Sequence, residues 1–116
     1  MNLAVIGSGG REHSICYKLK QSTKIKKLIC IPGNAGTEKI AENIKEDISN
    51  FQALYKIVKN KNIDIVIVGP EQPLVDGIVD FFNKIRSFII VIKYSKVCSW
   101  NVIFFAQVFH KSFRTF

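Results

Sequence analysis

Residues 84–116 contain no aspartate, glutamate, glycine or proline, although they carry six lysines and arginines and 19 apolar or aromatic side chains. Natural domains are about a quarter charged with both signs represented, so this composition sets the last third of the chain apart. No clean helical or alternating period organises residues 100–116 either. The stretch reads like an altered reading frame or a truncated gene, and no domain is assigned to residues 93–116. Phe104, Phe105 and Phe109 are expected to form a sticky exposed patch there.

Other scarcities exclude whole classes of protein. No apolar run approaches the roughly 18 residues that cross a bilayer, and no basic leader with an apolar core precedes the first strand. The expectation is a cytoplasmic chain with no membrane partner. The three cysteines (Cys16, Cys30, Cys98) are odd in number and make no C-x-x-C pair. They are expected to be reduced and mostly buried rather than to form disulfides or a zinc site. His13 and His110 stand far apart with no ligand set around them, so no metal centre is predicted.

Acidic residues are scarce overall, leaving a net charge of +8. The excess is local: residues 1–83 carry 11 basic and 9 acidic side chains, and residues 84–116 carry the rest of the basic ones. Lysine outnumbers arginine 14 to 3 and isoleucine reaches 18, a mixture that A+T-rich coding produces. A nucleic-acid face needs bases interleaved with stacking aromatics on a folded surface, and no nucleic-acid partner is expected. With 116 residues there is material for one domain with a single core.

What is present begins at once. Residues 3–6 are apolar, then Gly7, Gly9 and Gly10 lead into Arg11, Glu12 and His13, which open a helix over residues 11–20 with Ile15, Cys16 and Leu19 facing inward. A buried strand, a glycine turn and a helix N-terminus together make an anion site from main-chain N–H groups and the helix dipole. Glu12 in the first turn suits the dipole. Arg11 does not, unless an anion answers it. A dinucleotide fingerprint would need a third glycine where Glu12 stands, and an acid after Ile31 where Pro32 stands.

A second short strand, residues 28–31, ends in Pro32-Gly33-Asn34-Ala35-Gly36-Thr37, in which Asn34 tolerates a left-handed conformation. Residues 40–48 are ambiguous, with a short strand near Ile44. Ser49-Asn50-Phe51-Gln52 has capping-box spacing with Ser49 as N-cap, and Phe51, Leu54, Tyr55 and Val58 then repeat at helical spacing. The clearest strand, residues 63–68, ends in Gly69-Pro70-Glu71-Gln72-Pro73-Leu74, where two prolines stiffen the loop carrying Glu71. A helix presenting Val75, Ile78, Val79 and Phe82 follows. Alternation of this kind predicts an α/β fold: a Rossmann-like open parallel sheet with helices on both faces. Its three glycine turns all follow strands and so open on one edge.

G-S-G-G-R-E-H, P-G-N-A-G-T and V-G-P-E-Q-P-L, in this order and spacing, closely resemble the N-terminal domain of phosphoribosylamine–glycine ligases. The resemblance covers roughly residues 1–83 and implies the pre-ATP-grasp fold over residues 1–92. It also implies an ATP-dependent carbon–nitrogen ligase of purine biosynthesis, which joins glycine to 5-phosphoribosylamine through an acyl phosphate. On that resemblance Gly9, Gly10, Arg11 and Glu12 lie around the ribose phosphate, Asn34 and Gly36 line its side, and Glu71 takes the ribose hydroxyls or the amine. No catalytic residue is assigned. ATP and Mg2+ are implied by the family, but their sites are not in this chain, which alone is expected to be inactive unless a separate ATP-grasp region joins it.

The pattern departs from the family after Asn83. Residues 88–92 still read as a fifth strand, but Lys93 and Tyr94 stand where a Gly-Pro turn is expected. Two other classes fit the sequence less well: a nicotinamide-dependent oxidoreductase domain, and a non-catalytic module associating through its apolar tail.

Overall fold

A computed structural model describes residues 1–85 and 90–93. The expectations for residues 94–116, including the exposed Phe104, Phe105 and Phe109, lie outside the described residues, as do Cys98 and His110. Five strands, β1 (Asn2–Gly7), β2 (Lys27–Pro32), β3 (Glu42–Asn43), β4 (Ile65–Val68) and β5 (Ile90–Lys93), form one sheet in the order β3-β2-β1-β4-β5. Every pairing is parallel. This is the strand order of Rossmann-like sheets, with the direction of winding reversing between β1 and β4. The short strand expected near Ile44 is β3, and the fifth strand is present but includes Lys93.

Parallel strands covered on both faces read as continuous apolar runs, and alternate side chains divide between two cores. Ala4, Ile6, Val66 and Val68 face one way and pack with Leu54 and Val58 of α2 (Phe51–Asn60) and Ile78 and Phe82 of α4 (Ile78–Lys84). Leu3, Val5, Ile65 and Ile67 face the other way, against Cys16 of α1 (Gly10–Lys20). Helices therefore cover both faces, as the alternation predicts. Each buried Leu or Ile contributes about 1.5–3 kcal/mol relative to exposure, and these central positions are fully buried.

Two local expectations are corrected. The N-cap of α2 is Asn50, whose side chain accepts the Ala53 N–H at 3.1 Å. Ser49 is instead drawn back to Asp47, donating its hydroxyl and its N–H to one carboxylate oxygen at 2.7 and 2.9 Å. Those two bonds, the hydroxyl's first, hold the Asp47 carboxyl below its ordinary range. The helix after Glu71 is two pieces, α3 (Glu71–Val75) and α4, because Gly77 is left-handed at φ 90 and breaks the run. Val75, assigned by spacing to the buried face, is consequently 78% exposed. In the turn after β2, Gly33 takes the left-handed conformation (φ 75).

Candidate functional site

Register brings three loops to one edge. Gly7 pairs beside Pro32 and Ile6 beside Val68, so the turns after β1, β2 and β4 leave the sheet side by side at its carboxyl edge. The Gly33 N–H donates to the Gly7 carbonyl (3.2 Å) and the Gly69 N–H to the Ile6 carbonyl (3.1 Å). The crevice outside the carboxyl ends of the strands, where the winding reverses, is the ligand position of open α/β sheets.

The first turn is shaped by Glu12. Its carboxylate accepts the Gly9 N–H at 2.7 Å, so the capping-box acid answers the helix dipole from inside the loop. The residue is 5% exposed. A β-carbon on Gly7 would stand 2.5 Å from the Glu12 Cγ, and one on Gly9 would stand 3.0 Å from Oε2. One on Gly69 would collide with Oε1. The Glu12 side chain thus lies between the loops after β1 and β4, against Gly7, Gly9 and Gly69, and the Gly9 N–H is spent on it. The Gly10 N–H, at the first helical position, has no acceptor within the helix. Arg11, exposed beside it, donates from Nη1 to the Gly69 carbonyl at 3.3 Å, so its guanidinium reaches from the first loop to the third.

Asn34 joins the second loop to the first. Its Nδ2 donates to the carbonyls of Ser8 (2.9 Å) and Gly9 (3.3 Å), and its Oδ1 accepts the N–H groups of Gly36 (2.8 Å) and Thr37 (2.9 Å). Two donors and an oxygen accepting twice are all that a side-chain amide offers. Asn34 is therefore a brace between the two loops, its amide fully used. Gly36 lies against the His13 ring, whose Cε1 is 2.9 Å from where a β-carbon would be. Glu71 is exposed at the start of α3, on the third loop.

The structure thus brings Gly9, Gly10, Arg11, Glu12, Asn34, Gly36 and Glu71 to the three adjoining strand-to-helix connections at the sheet's carboxyl edge. Sequence reasoning placed Thr37 and Gly69 in their turns without giving either a role, and missed Asn43. Thr37 is fully buried, and its hydroxyl accepts the Asn34 N–H and donates to Asn43 Oδ1, both at 2.8 Å. Asn43 Nδ2 in turn donates to the Asn34 carbonyl at 2.8 Å. The Asn34-x-x-Thr37 spacing of an Asx-type turn was the signal available for Thr37.

Beneath the first loop the buried Cys16 and Cys30 are both free thiols, as expected of them. Cys30 Sγ donates to the Gly7 carbonyl at 3.5 Å. A hydrogen bond with Cys30, and then burial, push the Cys16 thiol far above its ordinary range. Among the described residues, no group of three or more His, Cys, Asp or Glu side chains could hold a metal ion. Nor is any helix among them long and apolar enough to cross a membrane.

Sheet order, two-faced helical cover and three loops meeting at the reversal point define a Rossmann-like α/β domain. The same fold is seen in a solved structure of dTDP-glucose 4,6-dehydratase from Bacillus anthracis in complex with NAD. That likeness has a TM-score of 0.61 at 15% identity over 84% of this chain and 41% of that one, and it speaks to fold alone. The family is set by sequence: the model of the phosphoribosylglycinamide synthetase N domain matches residues 1–92, and the chain belongs to that family. It is 46% identical over 84 residues to the phosphoribosylamine–glycine ligase of Caldanaerobacter subterraneus subsp. tengcongensis, covering 72% of this chain and 20% of the relative. The ligase of Rhodopirellula baltica is 38% identical over 122 residues, covering 99% of this chain and 28% of the relative. That alignment carries on past Asn83, where the tail's composition marked the resemblance as ending. The chain spans between a fifth and somewhat over a quarter of the length of these relatives.

Proposed function

We propose that the three-loop crevice binds the phosphoribosyl group of 5-phosphoribosylamine, as the substrate-binding part of a phosphoribosylamine–glycine ligase of purine biosynthesis. The observation that carries this reading is the convergence of the three loops at the reversal point between β1 and β4, braced by Asn34 and Arg11. The phosphate sits at the first turn, within reach of the Gly10 N–H and the Arg11 guanidinium. Main-chain donors, a helix N-terminus and a guanidinium are the groups that suit a phosphate. Gly9, Asn34 and Gly36 shape the wall around it. Glu71, held on a proline-bracketed loop, accepts from the ribose hydroxyls or the amine.

The unit doing this is residues 1–92, and it carries half of a reaction. Joining glycine to the amine requires an activated carboxylate, formed with ATP and metal ions neutralising the transferring phosphoryl group. The described residues offer neither a phosphate-cradling P-loop nor a metal-ligand cluster. A larger ATP-grasp region, such as the greater length of the relatives can accommodate, supplies that half. Thermal-shift titration with ribose 5-phosphate, NADH and buffer tests the reading. Stabilisation by ribose 5-phosphate alone supports it, and stabilisation by NADH alone replaces it with the dinucleotide alternative.

A further inference from the structure

Three glycines on two loops surround one carboxylate. Gly7, the last residue of β1, and Gly9 flank the first loop, Gly69 begins the loop after β4, and the Glu12 side chain fills the space a β-carbon would need at each. A buried acid at the third helical position needs only the Gly9 N–H to cap the helix. Contact with Gly69, 57 positions further on, goes beyond capping. It places the carboxylate between the loop that offers Gly10 and Arg11 and the loop that leads to Glu71.

We propose that Glu12 is a positioning residue: its side chain is the spacer that sets the separation of the β1 and β4 loops, and so the width of the crevice between Arg11 and Glu71. The proposal rests on the phosphoribosyl reading given above. Three consequences follow from the geometry. Glu12 acts by its reach and by its bond from the Gly9 N–H, not by presenting charge to the ligand. Gly69 is glycine because the Glu12 carboxylate lies against its α-carbon. Arg11, bonded to the Gly69 carbonyl, is carried by the same spacing, since a shift of the third loop moves the acceptor that holds its guanidinium. Misplacing a binding group by a fraction of a bond length is costly, because directional contacts weaken steeply with geometry.

Reach and charge separate in two conservative variants. Glu12→Gln keeps the length and one oxygen to accept the Gly9 N–H but removes the charge. Glu12→Asp keeps the charge and shortens the spacer by one methylene. Ribose 5-phosphate affinity is measured by calorimetry on the full chain, at a temperature where circular dichroism shows each variant folded, so that lost stability alone does not register. The expected result is Glu12→Gln within about threefold of the parent and Glu12→Asp weaker by about tenfold or more, equivalent to one well-placed hydrogen bond. The opposite order, with the aspartate variant binding better than the glutamine variant, overturns the proposal in favour of direct charge contact.

A second arm needs no ligand. Gly69→Ala is measured by thermal unfolding in the parent and in the Glu12→Asp background. The side chains touch, so the effects should be non-additive, and Gly69→Ala should cost several degrees less in the shortened background. Additive losses overturn the spacer. If ribose 5-phosphate does not bind the parent chain, the phosphoribosyl reading fails while this cycle still decides whether Glu12 sets the loop spacing.

Discussion

The side-chain amide of Asn34 donates to the main-chain carbonyl of Ser8 at 2.9 Å, tying the loop after β2 to the loop after β1. With its bonds to Gly9, Gly36 and Thr37, this one side chain holds both loops in a single arrangement. Asn34→Ala removes every one of these bonds. At roughly 0.5–1.5 kcal/mol for each of the four, the expected loss is about 2–6 kcal/mol in urea unfolding. Asn34→Asp keeps the acceptors for Gly36 and Thr37 but turns an anion on the Ser8 and Gly9 carbonyls, and it should not rescue the loss.

The break at Gly77 predicts opposite outcomes at two positions that share one helical period. Phe82 is 1% exposed and packs against Tyr55 and Phe81, with ring centroids at 6.4 and 5.8 Å. Phe82→Ala should cost about 3–5 kcal/mol. Val75→Ser, at an exposed site, should stay within about 0.5 kcal/mol. Equal losses in chemical denaturation would show a continuous buried helix instead.

Chemical modification reads the thiols. Cys16 and Cys30 are fully buried, and the Cys16 thiol is held above its ordinary range, so it remains protonated at mildly alkaline pH. The thiolate is the nucleophile. The hydrogen bond with Cys16 holds the Cys30 thiol below its ordinary range, so burial alone shields it, and iodoacetamide at pH 8 should leave both residues unlabelled in the native chain and label both after denaturation, as read by peptide mass spectrometry. Rapid native labelling of Cys16 would contradict its placement.

The sheet was legible because its strands are short, β-branched and apolar on consecutive residues, as burial on two faces requires. The three glycine turns were legible as loops at strand ends, whereas the strand order β3-β2-β1-β4-β5 comes from the fold, since βαβ connections alone leave the place of β4 open. What local reading could not supply was side-chain direction across loops. Glu12 has the spacing of a first-turn acid whether it faces a ligand or Gly69, 57 residues away, and only the fold decides. Asn34 likewise reads as a turn former, which its Oδ1 bears out, but nothing local shows that its Nδ2 donates to carbonyls of the first loop. The Ser49 cap failed for a competing local reason: Asp47 offers its hydroxyl and N–H a nearer acceptor, so Asn50 takes the helix end. Gly77 interrupted an otherwise persuasive apolar period because a left-handed residue cannot continue a helix.

Calorimetric titration of ribose 5-phosphate into the chain and its Arg11→Ala variant tests the central claim most directly. The account predicts saturable binding to the parent chain and a loss of about 1.5–3 kcal/mol in the variant, the range for a hydrogen bond to a charged group. Equal affinity in the two, or no binding to the parent, would contradict it.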